Sequence, residues 1–80
     1  MLILYIKPGC PYSAKVREAA QDLGIELHEK NREEPGITEE LIARGGKRQV
    51  PYLVDEENDV EMYESDDIVE YLHENFGKKA

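Results

Sequence analysis

Leu2-Ile3-Leu4-Tyr5-Ile6-Lys7-Pro8-Gly9-Cys10-Pro11-Tyr12-Ser13 is the stretch from which the fold can be read. Its first five residues are apolar at every position, the mark of a central strand covered on both faces. Lys7-Pro8-Gly9-Cys10-Pro11 breaks the run and reads as a loop. A helix is expected to start near Pro11, because proline is tolerated in a first helical turn. Val16, Ala19, Ala20 and Leu23 then recur at i, i+3, i+4 and i+7 as one apolar stripe, and Gly24 is a natural stop. The chain thus opens with a strand, a tight loop carrying a cysteine, and a helix.

Ile25-Glu26-Leu27-His28-Glu29 alternates with period two, which predicts a strand with one wet face near a sheet edge. Lys30 to Gly36 is polar and contains Pro35-Gly36, so it reads as a loop. A short helix is expected from about Ile37 to Arg44, with Ile37, Leu41 and Ile42 inward and Gly45-Gly46 ending it. Pro51 to Val54 and Val60 to Tyr63 read as two strands paired through the polar turn 55–59. Ser65 is the expected cap of a last helix, Asp66 and Asp67 suit the positive end of its dipole, and Ile68, Leu72 and Phe76 form its buried stripe before Gly77. The order β-α-β-α-β-β-α predicts an α/β fold. Its first two strands are parallel across a right-handed crossover and its last two antiparallel, giving a four-stranded mixed sheet with helices on both faces.

The 80 residues are 40% hydrophobic and 35% charged, enough for one domain spanning 1–80 with a small core. A single cysteine makes no internal disulfide, and one Cys with two separated histidines gives no zinc spacing, so no metal is expected. Mean hydropathy is −0.67. The longest apolar run, Leu2 to Ile6, is too short for a membrane span or a secretory leader. The expectation is a cytoplasmic protein that starts at Met1, ends in a polar tail over residues 77–80, and keeps its thiol reduced. The net charge of −8 argues against a nucleic-acid partner and gives no reason to expect more than a monomer. Lys7, Lys15, Arg17, Lys47 and Arg48 cluster in two stretches, around Cys10 and before Pro51. They form either a positive site on an acidic protein or scattered solvated charge.

Cys10 lies between an apolar strand and a helix start, where backbone N–H groups project partial positive charge. That field, with Lys7 three residues earlier, favours thiolate, the nucleophile of thiol–disulfide exchange. A lone cysteine is commonly a small buried hydrophobe, but Pro-Gly-Cys-Pro is a surface-turn sequence. His28 and His73 read as surface residues, and Tyr5, Tyr52 and Tyr71 as core or half-buried.

Lys7-Pro8-Gly9-Cys10-Pro11-Tyr12-Ser13 resembles the glutaredoxin active-site motif K-x-x-C-P-Y-C, with serine in the last place. Val50-Pro51 resembles the family's Val-Pro, whose proline is cis in the thioredoxin fold. Ser65-Asp66-Asp67 resembles its late glutathione-binding segment. The resemblance covers essentially the whole chain and implies a thioredoxin-like fold with glutathione as co-substrate. Lys7 and Arg48, or Lys47 in its place, would hold the glycine carboxylate. Val50 would pair its backbone with the cysteinyl unit, Pro51 would aim that backbone at Cys10, and Tyr12 would pack beside the sulfurs. Ser65 and the helix N–H groups would take the γ-glutamyl carboxylate, with Asp66 on the ammonium. Ser65 also has a purely structural role open to it as a cap, and Pro51 as an ordinary strand-start proline. The pattern departs from glutaredoxins at Tyr63-Glu64, where a Gly pair is common, and at Gln49. Glu64-Ser65 with Ile68 is similar instead to the N-terminal domain of glutathione transferases, which share the fold.

Ser13 leaves Cys10 without a resolving thiol. The resemblance then implies a monothiol oxidoreductase that reduces glutathionylated proteins or small disulfides by a ping-pong route through Cys10. Ser13 would support the thiolate across one helical turn. It is either native or an engineered replacement of a resolving cysteine. Two alternatives stand beside this reading. One is a relative that binds a [2Fe-2S] cluster, disfavoured because Pro11 follows Cys10. The other is a glutathione-binding module without turnover.

Overall fold

The computed structural model describes residues 2–77; the expected polar tail beyond 77 lies outside the described residues. The elements are β1 (Leu2–Ile6), α1 (Pro11–Leu23), β2 (His28–Asn31), α2 (Ile37–Gly45), β3 (Tyr52–Asp55), β4 (Val60–Met62) and α3 (Ser65–Phe76). The sheet order is β2-β1-β3-β4. β1 pairs parallel with β2 and antiparallel with β3, and β3 pairs antiparallel with β4, so the expected mixed sheet is observed. The interior strands β1 and β3 are buried at every residue. The edge strand β2 reads His-Glu-Lys-Asn, a charged rim that discourages pairing with another chain.

The register sorts the core onto two faces. Leu2, Leu4, Ile6 and Leu53 meet Val16 and Ala20 of α1 and Ile68 and Leu72 of α3. Ile3, Tyr5, Tyr52 and Val54 meet Leu41 of α2 on the other side. Cross-strand neighbours Leu4–Leu53 and Tyr5–Tyr52 therefore anchor opposite layers. Each buried phenol finds an acceptor, Tyr5 in Glu40 and Tyr52 in Glu61. Burial and the Glu40 carboxylate push the Tyr5 phenol up to about 12, so it stays protonated and donates.

Several boundaries differ from the sequence expectation. The second strand starts at His28 rather than Ile25. The Ile25 N–H is spent on the Ala20 carbonyl at 2.9 Å, closing α1 behind the left-handed Gly24. Ile25 and Leu27 still pack on the core, which is why the alternation is present without a ladder. Ile42 is exposed, not inward, because it lies about 100° around the helix from Leu41. Asp55 belongs to β3 and is buried, not part of a solvated turn. Its carboxylate accepts from Tyr71 Oη at 2.5 Å and Asn58 Nδ2 at 2.8 Å, tying the β3–β4 turn to α3. The strands span Tyr52–Asp55 and Val60–Met62, each within one residue of expectation. Ser65 is the first residue of α3 and Glu64 its cap, with no side-chain capping bond.

Gly45 does more than end a helix. A Cβ there would run into Tyr63 Oη and stand 2.9 Å from Tyr52 Cζ. Tyr52 is buried and its ring stacks 4.4 Å from that of Tyr63, so it has no room to retreat. Gly45→Ala is expected to cost about 1–3 kcal/mol by overpacking, read as a lower midpoint in urea unfolding with an unchanged slope.

Candidate functional site

The end of β1 turns sharply into α1. The Cys10 N–H donates to the Lys7 carbonyl at 3.0 Å, with Pro8 and a positive-φ Gly9 (φ 82°) between them. This is the arrangement a proline at the second and a glycine at the third position of a type II turn supports. Pro11 occupies the first helical turn and Cys10 is the cap residue, with extended backbone. The turn thus sets the cysteine at the helix's positive end. The Cys10 thiol is half-buried. Partial burial works against its ionisation, but the Ser13 N–H and hydroxyl, the Tyr12 N–H and the Lys7 charge outweigh that. The thiol is held below its ordinary value. Ser13 is itself buried, and its hydroxyl accepts from the Lys7 N–H at 3.4 Å, which locks the loop over the helix start.

Cys10 opens into a cavity of about 600 Å³ lined by Lys7, Pro8, Tyr12, Arg32, Arg48 and Val50, among others. A second depression of about 380 Å³ adjoins it, sharing Tyr12, Gln49 and Val50 and continuing along Pro51 and Glu64 to Ser65 and Asp66. The Val50–Pro51 peptide is cis. The residues expected in the site from the sequence therefore line one continuous groove, except Ser13, buried in the first turn of α1, and Lys47, offered as the substitute for Arg48. Tyr12 stands exposed at its middle. A third depression, between α1 and β2 beside Arg17 and Leu27, contains no nucleophile. Among the described residues no group of three or more His, Cys, Asp or Glu side chains is placed to hold a metal ion.

The charges are distributed unevenly. Lys15 pairs with Asp66, Arg17 with Glu29, Lys30 with Glu40, and Arg44 with Glu56 and Glu61. Lys47 lies over the Tyr63 ring, 5.6 Å from its centroid. Its main chain is bonded at both N–H and C=O to Tyr63 Oη, so it is turned away from the groove that Arg48 lines. Lys7, Arg32 and Arg48, the cations that remain among the described residues, all line the Cys10 cavity. Asp66, expected to meet an ammonium, is held by Lys15 across α1 and α3, a solvent-exposed pair of small energetic weight.

Two features were not anticipated. Arg32 follows β2, and its N–H donates to the Ile6 carbonyl at 2.9 Å, so the parallel register carries it alongside Lys7. Its Nη1 donates to the Arg48 carbonyl at 3.0 Å, fastening the loop before Pro51. The signal was present in the pairing of β1 with β2: whatever follows Asn31 sits beside whatever follows Ile6. The second feature is Glu64, held at φ 66°, ψ 110°, a backbone conformation uncommon for a residue with a Cβ. Its carboxylate accepts from Gln49 Nε2 at 3.2 Å, joining the entry to α3 to the Val50–Pro51 loop.

Comparison with known proteins follows the same lines. Among curated proteins no match is found. Solved structures superpose closely. A glutathione S-transferase 1-6 from Anopheles dirus species B shares 30% identity with a TM-score of 0.81, covering 96% of this chain and 37% of that one. A glutathione S-transferase from the Antarctic clam Laternula elliptica shares 30% with a TM-score of 0.82, covering 96% and 36%. A delta-class glutathione transferase of Nilaparvata lugens shares 28% with a TM-score of 0.79, covering 99% and 38%. The chain thus spans less than two-fifths of the length of these enzymes. The model of the glutathione S-transferase N-terminal domain matches residues 4–80. With its mixed sheet, its two helical layers and this match over nearly its full length, the chain has a thioredoxin-like fold and belongs to the family of glutathione S-transferase N-terminal domains.

Proposed function

We propose that this domain binds glutathione in the groove and uses Cys10 for glutathione-dependent thiol–disulfide exchange. The observation that carries the reading is the placement of Cys10, its thiol held below its ordinary pKa, at the centre of a groove with cations at one end and a helix start at the other. In this reading Lys7 and Arg48 hold the glycine carboxylate. Val50, before the cis Pro51, offers its backbone to the cysteinyl unit, and Tyr12 covers the sulfurs. Ser65 and the α3 N–H groups receive the γ-glutamyl carboxylate. Its ammonium meets Asp66, which exchanges Lys15 for it, or Glu64 nearby.

The chemistry balances in two steps. The Cys10 thiolate attacks the glutathione sulfur of a mixed disulfide; the S–S bond breaks, and the substrate leaves as thiolate and takes a proton from solvent. A second glutathione, as thiolate, attacks the Cys10–glutathione disulfide. It releases glutathione disulfide and restores the Cys10 thiolate. Net, each mixed disulfide consumes one free glutathione: the substrate leaves as a thiol, and the glutathionyl group it carried leaves joined to that glutathione as glutathione disulfide. Without a thiol at position 13 the intermediate has no internal exit, so a second glutathione is required and the kinetics are ping-pong.

A second reading is favoured by the family match: conjugation of glutathione to an electrophile, with Cys10 and Ser13 only supporting the bound thiol. The two separate on one experiment. Incubation with glutathione disulfide, followed by intact-mass analysis under non-reducing conditions, should show one glutathionyl adduct mapped to Cys10 and removed by free glutathione. An unmodified protein that still conjugates glutathione to chlorodinitrobenzene would replace the exchange reading with the conjugation one.

A further inference from the structure

The cations of the Cys10 cavity exceed what glutathione alone requires. Lys7, Arg32 and Arg48 line it, and no acidic side chain does. None of them pairs with a carboxylate among the described residues, although the protein carries 18 Asp and Glu against 10 Lys and Arg. Elsewhere Lys15, Arg17, Lys30 and Arg44 find carboxylate partners, and Lys47 lies over the Tyr63 ring. Concentrating the unpartnered cations at the nucleophile is what a site for anions needs. Under the exchange reading, the Cys10 thiolate balances one of these charges and the glycine carboxylate of glutathione a second. One positive charge is left facing whatever else enters. Arg32 is the natural bearer of it. Its Nη1 is fixed on the Arg48 carbonyl, which holds the guanidinium at the rim, and a guanidinium has further N–H donors to offer a carboxylate in a bidentate pair.

We propose that the juxtaposition of Arg32 with Lys7 and Arg48 around Cys10 selects disulfides in which the group joined to glutathione itself carries a carboxylate. This inference rests on the exchange reading and names the substrate class of that site. A neutral leaving group is accepted without help. A cationic one meets a cavity of its own sign in a partly desolvated setting, where like charges repel more strongly than in bulk water.

The test uses mixed disulfides of glutathione with 3-mercaptopropionate, 2-mercaptoethanol and cysteamine. Each enzymatic kcat/KM is divided by the uncatalysed rate of the same disulfide with glutathione, which removes differences in leaving-group chemistry. The expected order is anionic, neutral, cationic, with steps of about threefold or more at low ionic strength. The steps should shrink as salt shortens the range of the field. Arg32→Gln should compress the order, and Arg32→Lys should retain it. Equal normalised rates for the three, a reversed order, or an order untouched by Arg32→Gln would overturn the inference while leaving the exchange reading standing. Absence of turnover with all three, the neutral one included, would instead overturn the exchange reading and the inference with it.

Discussion

Replacing Cys10 with serine should lower the rate of reduction of a glutathione–hydroxyethyl mixed disulfide by roughly a thousandfold or more, as loss of a covalent nucleophile does in other enzymes. The assay couples formation of glutathione disulfide to NADPH oxidation by glutathione reductase. The reason lies in the side chain alone. Cys10 caps α1, and serine is at least as good a cap, so the helix and groove survive the exchange. A hydroxyl at that position stays protonated at neutral pH and cannot attack sulfur. Glutathione binding, followed by calorimetry, should persist in the variant because its proposed contacts come from Lys7, Arg48, Val50 and the start of α3. Unchanged turnover in Cys10→Ser would refute the role of the thiol. Inactivity of the wild-type domain with intact glutathione binding would favour a binding module.

Leu4→Ala should be among the most damaging leucine truncations in the core, at about 3 kcal/mol, in the lower half of the range for leaving a cavity at a leucine site. Leu4 is fully buried in the central strand. It faces Leu53 across the sheet and packs in the cluster with Val16, Ile68 and Leu72, so no single element can move in to fill the void. In a domain of this size that loss lowers Tm by about 12–24 °C, measurable by circular dichroism. Ile42→Ala, at an exposed position of α2, is the control and should change Tm by only a few degrees. Equal effects at both positions would contradict the assignment of the core.

Much of this architecture is written in local patterns. The run Leu2 to Ile6 announces a doubly covered strand, and the stripe Val16-Ala20 with Gly24 defines α1 almost to the residue, because burial on one helical face is a periodic property. The line of the candidate groove was legible too, since Cys10, Val50-Pro51 and Ser65 each sit at a junction marked by a proline or by the start of a helix. What was not legible depends on partners distant in sequence. Ile25 looks like a strand residue until its N–H is seen to close a helix. Asp55 looks like a turn residue until Tyr71, from a later helix, donates to it. Arg32 reads as one more charge in a polar loop. Only the parallel pairing of β1 with β2 puts it beside Lys7, and only its bond to Arg48 gives it a place in the groove. Glu64 takes an uncommon backbone angle that no local preference would suggest, and Gln49 meets it from another loop.

The ionisation of Cys10, on which its role as nucleophile depends, is measured directly by the pH dependence of its alkylation by iodoacetamide. Reaction rate tracks the thiolate fraction. With the Ser13 and Tyr12 donors and Lys7 lowering the thiol below its ordinary value, the rate should climb and level off at lower pH than for an unstructured cysteine peptide. Lys7→Gln and Ser13→Ala should each move the midpoint upward. A midpoint equal to or above that of the peptide, unmoved by either substitution, would contradict the claim that the groove holds a ready nucleophile.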